Sequence, residues 1–113
     1  MFIVLLDEPG LFVFESPIAA AQAIEVVEAE SEIRAAFDQS AVPYRVEWIQ
    51  PNRWGRGLFG LWRSFAPGKY RFVQAGPAAP ADLRHLLENH LTYTDPPDAK
   101  GDLERLLLQL RAV

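Results

Sequence analysis

Cysteine is absent from this 113-residue chain. Disulfides and thiolate metal sites are thereby excluded, and a reducing compartment is the fitting setting. Long apolar runs are missing too. The N-terminal FIVLL falls far short of the ~18 residues a membrane helix needs, and no basic segment precedes it as in a secretory leader. A cytoplasmic location and no membrane partner are expected. There is no GxSxG elbow and no Walker A lysine motif. The pattern GxGxxG occurs once, at Gly55, Gly57 and Gly60. A dinucleotide site needs a strand before that motif and a helix after it. The residues that follow, LWRSFAPG, read as strand and turn.

Acidic residues are missing from one third of the chain. Between Trp48 and Ala81 there are five basic side chains and no acidic one. Residues 1–47 carry a balance of −7, residues 82–113 one of −2, and the whole chain −4. The basic third therefore sits inside an acidic protein, a layout that points to a partner-facing surface. Hydrophobic residues make up 50% of the chain and charged ones 23%, which is a globular rather than a disordered composition. The length fits one domain, 1–113. Frequent alanine and a preference for arginine over lysine suggest a GC-rich, bacterial genome.

The patterning predicts an α+β fold with a mostly antiparallel sheet built from hairpins, in the order ββ-α-ββ-ββ-αα, with the helices packed on one face. FIVLL and LFVFE, joined by the turn residues DEPG, predict a first hairpin. Ser16 as N-cap and Pro17 as first helical residue open a helix expected over 17–29, with Ile18, Ala21, Ile24 and Val27 (or Val26) on its buried side. Residues 31–48 are ambiguous and are read as strand–turn–strand. Val42, Tyr44, Val46 and Trp48 share one face, and Arg45 and Glu47 the other. LFGLWRSF and KYRFVQA around the turn APG predict a further hairpin. Leu83, Leu86, Leu87 and Leu91, then Leu103, Leu106, Leu107 and Leu110, form two helical stripes. Asp102 is the expected cap of the second helix, and Leu108 broadens its stripe.

No residue set announces catalysis. His85 and His90 are five apart, which on a helix separates them by about 140°, so they cannot share a metal. We expect no enzymatic activity, no catalytic residue, no metal and no cofactor. Asp7 and Glu8 belong to a turn. Glu25, Glu28 and Glu32 would line one exposed face if the helix persisted, giving a surface suited to a basic protein such as a toxin domain.

RWGRGLFGLWR, residues 53–63, interleaves arginines with aromatics. Trp54 lies in a glycine-flanked loop outside any clean strand, and Trp and Arg are the residues most enriched at binding hot spots. Arg53, Trp54, Arg56 and Arg63 are therefore the candidate binding residues, beside Glu25, Glu28 and Glu32. The expected function is a protein-binding module, an inhibitor of immunity or antitoxin type that acts by occlusion. The alternative is a nucleic-acid-binding domain using the hairpin 53–72, whose cations and rings suit phosphates and bases. The negative total charge counts against it. A homodimer through a sheet edge or the C-terminal helix is a further expectation.

Overall fold

Strand β1, Phe2–Leu6, is buried at all five positions. Because strand side chains alternate, its residues divide between two cores. Ile3 and Leu5 join one, and Phe2, Val4 and Leu6 join the other. This computed structural model of the chain describes residues 1–7, 10–56 and 63–112, with the backbone alone at Val27, 53–56 and 63–66.

The fold is α+β. Strand β1 pairs antiparallel with β2 (Gly10–Phe14), the expected hairpin. Helices α1 (Pro17–Ala23) and α2 (Val26–Ser31) follow, then β3 (Ile33–Asp38) and β4 (Pro43–Gln50). Short strands β5 (Arg53–Arg56) and β6 (Arg63–Ala66) precede β7 (Lys69–Gln74). Helix α3 (Pro80–His90), strand β8 (Thr94–Asp95), a 3-10 turn at Pro97–Ala99 and helix α4 (Lys100–Arg111) complete the chain. The main sheet has the order β7-β4-β3-β1-β2-β8 and is antiparallel except for the β2–β8 pair.

Helices cover both faces of the sheet, not one. Leu83, Leu86 and Leu87 of α3 and Leu103, Leu106 and Leu107 of α4 pack on Ile3, Leu5, Leu11 and Phe37. The leucine stripes thus lie where periodicity put them. On the other face Ala20 and Ile24 meet Phe2, Val4, Leu6, Tyr70 and Phe72, with Tyr44, Val46 and Trp48 packed around them. The one-face expectation failed because β1 reads as an unbroken apolar run, and such a strand needs cover on both sides.

Phe2 shows how tightly the second core curls. Its ring stands edge-on to Tyr44 at 5.0 Å and to Phe72 at 5.1 Å, although β3 and β4 lie between β1 and β7. Ala36 on β3 provides the room, being small and 2% exposed. Strands β3 and β4 share only the pairs Ala36↔Tyr44 and Phe37↔Pro43. Asp38 closes their turn by accepting bonds from the Ser40 and Val42 amides (2.8 and 3.1 Å) and the Tyr44 hydroxyl (3.2 Å).

Several local expectations are corrected. The helix of 17–29 is two helices, broken where Ile24 turns extended and sinks into the core. Ser16 caps the first as expected, accepting from the Ala19 amide at 3.1 Å. Ile18 is 72% exposed, since the break sets the buried side on Ala20 and Ile24. The APG turn joins no hairpin, because β6 pairs with β5 and β7 with β4. Ala99, not Asp102, occupies the cap of α4, and Asp102 pairs with Arg105 one turn on. Leu108 is 64% exposed, on the side of α4 away from its stripe. Residues 57–62, with Phe59, Leu61 and Trp62 of the expected strand, and Glu8 of the first turn lie outside the described residues.

Phe2→Ala is expected to cost about 3–5 kcal/mol, because it empties a site shared by three strands. Ile18→Ala should change stability by less than about 0.5 kcal/mol. Urea unfolding of the two variants beside the parent checks both.

Candidate functional site

The candidate residues fall on two elements. Arg53, Trp54, Arg56 and Arg63 lie on the β5–β6 ribbon. It is a two-stranded sheet of its own, inserted between β4 and β7. Its register pairs Arg53 with Ala66, Trp54 with Phe65, Gly55 with Ser64, and Arg56 with Arg63. Strand alternation puts the positions of Trp54, Phe65, Arg56 and Arg63 on one face of the ribbon, and that of Arg53 on the other. Trp54, expected in a loop, is thus a strand residue.

The ribbon is anchored at its root. The Asn52 side-chain amide donates to the Val26 carbonyl (3.0 Å) and to Glu30 Oε2 (2.6 Å), and its oxygen accepts from the Gly68 amide (2.7 Å). One side chain therefore ties both crossings at the ribbon root to α2. Gly68 is buried there, and a Cβ at this position would collide with the Gln50 carbonyl and the Pro51–Asn52 peptide. The 16.3 Å radius of gyration exceeds the about 13 Å of a compact chain this long. The long axis is 62 Å.

Beside the ribbon root, the outer face of the β4–β7 pair is charged. Glu47 accepts from Arg71 at 2.5 and 3.1 Å, and Arg45 lies 3.8 Å away. The Arg71 hydrogen bond and charge hold the Glu47 carboxyl below its ordinary range.

Glu25, Glu28 and Glu32 do come together, but across a helix junction rather than along one helix. Glu25 occupies the N-cap position of α2 without a side-chain capping bond, Glu28 lies in its first turn, and Glu32 follows its end. Among the described residues no ion pair reaches any of the three. Partial burial raises the Glu28 pKa, and Glu32 and Glu25 raise it further. Beneath it the Tyr70 hydroxyl donates to the Ile24 carbonyl at 2.6 Å. Burial and the nearby Glu28 push its pKa up to about 12. Glu28 and Glu32 border a cleft of about 320 Å³ with Leu6, Phe12, Phe14 and Asp95 in its wall.

No family model matches the chain, nor does any curated protein or solved structure.

His85 is exposed and His90 half-buried at the edge of the leucine stripe. Among the described residues no group of three or more His, Asp or Glu is placed to hold a metal ion, and no helix is long and apolar enough to cross a membrane. Sequence reasoning missed Asn52 and the wall formed by Phe12, Phe14 and Asp95. An Asn between Pro and a strand signals a turn; nothing local reveals a bond to α2, twenty-six residues earlier.

Asn52→Ala removes three hydrogen bonds at the root and should cost on the order of 1–3 kcal/mol by urea unfolding. For Glu28, a raised pKa means the folded chain holds the proton more tightly than the unfolded one. Its ionisation therefore lowers stability, by an amount that is nil below the ordinary value of 4.5 and grows as pH rises through the folded value. Glu28→Gln is expected to raise the melting temperature at neutral pH and leave it unchanged in acid. Thermal melts from about pH 4 to pH 7 read the difference.

Proposed function

We propose that this chain is a protein-binding module that uses the β5–β6 ribbon to occlude a cleft on an acidic partner, in the manner of an immunity- or antitoxin-type inhibitor. The observation that carries the reading is a basic, aromatic-bearing ribbon outside the main sheet yet fixed at its root by Asn52 and Gly68. A two-stranded ribbon is marginally stable alone in water, and a partner surface would complete its burial. A fixed root lowers the ordering cost of binding. Arg53, Arg56 and Arg63 would steer association and Trp54 would anchor it.

A two-stranded ribbon also has the width to enter a nucleic-acid groove, so the test separates the two classes. A pull-down with tagged protein, with and without nuclease, is compared with an Arg53→Ala/Trp54→Ala/Arg56→Ala variant. The expected outcome is one stoichiometric protein that survives nuclease and is lost in the variant. Recovery of nucleic acid, with an affinity that falls linearly against salt on logarithmic axes, would replace this reading with the nucleic-acid one.

A further inference from the structure

We infer that the cleft beside α2 receives the β5–β6 ribbon of a second copy of this chain, so that two copies pair by exchanging ribbons. The inference rests on the ribbon being a binding element. It adds what fills the cleft.

The cleft has an apolar wall of Leu6, Phe12 and Phe14 and carries Glu28, Glu32 and Asp95. A cleft lined by both carboxylates and aromatic rings suits a guanidinium, whose flat face stacks while its edge makes hydrogen bonds. No ion pair within the described residues engages Glu28 or Glu32. The complementary element is in the same chain: Arg56, Arg63 and Trp54 share one face of the ribbon, in a stretch without acids from Trp48 to Ala81.

Both features border α2 within one molecule, at different places in the strand order. The ribbon leaves from the β4–β7 edge of the sheet, whereas the cleft lies at the β1–β2–β8 side. Strand β3 is antiparallel to both β1 and β4, so β4 runs parallel to β1. The ribbon therefore departs from the end of the sheet where Leu6 borders the cleft. A two-fold axis beyond that end lets each ribbon lie along the other copy's cleft. One such contact is small beside the about 1,600 Å² of a standard interface, and reciprocity doubles it.

Sedimentation velocity across concentration and salt tests the pairing. The parent is expected to be a dimer at low salt that dissociates as salt rises. Arg56→Glu/Arg63→Glu should be monomeric, and so should Glu25→Lys/Glu32→Lys, in which both substituted glutamates are exposed. Circular dichroism confirms that each variant is folded. Mixed in equal amounts, the two variants should form a heterodimer, because the substituted positions again face each other with opposite charges. A monomeric parent, a dimer that persists in both variants, or a mixture that stays monomeric overturns the inference. If the parent is monomeric yet captures a foreign protein through the ribbon, self-pairing is overturned and the proposed function stands.

Discussion

Strand β1 has no solvent face, and most of the architecture follows from that. Its residues supply both cores at once, so helices must lie on each side of the sheet: α1 and α2 against Phe2, Val4 and Leu6, and α3 and α4 against Ile3 and Leu5. The alanines of β3 serve the same constraint. With Ala36 in the second core, Phe2 reaches Tyr44 across one intervening strand and Phe72 across two. The outer face of β4 and β7 lies outside both cores, and there the alternate positions turn charged, with Arg45, Glu47 and Arg71 in one ladder.

The helix break at Ile24 places the acidic residues. Burying Ile24 forces the backbone extended, and its freed carbonyl is met by the Tyr70 hydroxyl from β7. A continuous helix would have spread Glu25, Glu28 and Glu32 along one solvated face. The break gathers them at a junction over the apolar end of the β1–β2 hairpin, where mutual repulsion and partial burial raise the Glu28 pKa. The same short helix offers its Val26 carbonyl and Glu30 to Asn52, so it borders both the acidic cleft and the root of the basic ribbon. Opposite charges are thereby held at one end of the sheet on separate elements. Charge segregation of this kind speeds and selects association more than it stabilises a fold.

Local sequence set the element types: the first hairpin, the capped start of α1, the alternation of β4 and the two leucine stripes. Each is set by neighbours a few residues away. It also determined the charge layout, since composition along the chain needs no structure. Tertiary structure alone decided the rest. The helix breaks at Ile24, which is buried in the second core, and a tyrosine forty-six residues later meets its carbonyl. Strand β6 pairs with β5 and not with β7, which pairs with β4, a choice of partners that no local period records. Asn52 became an anchor, and Phe12, Phe14 and Asp95 the wall of a cleft, through contacts set by strand order. Side-chain periodicity reports which face of an element is buried; it carries no information about what buries it.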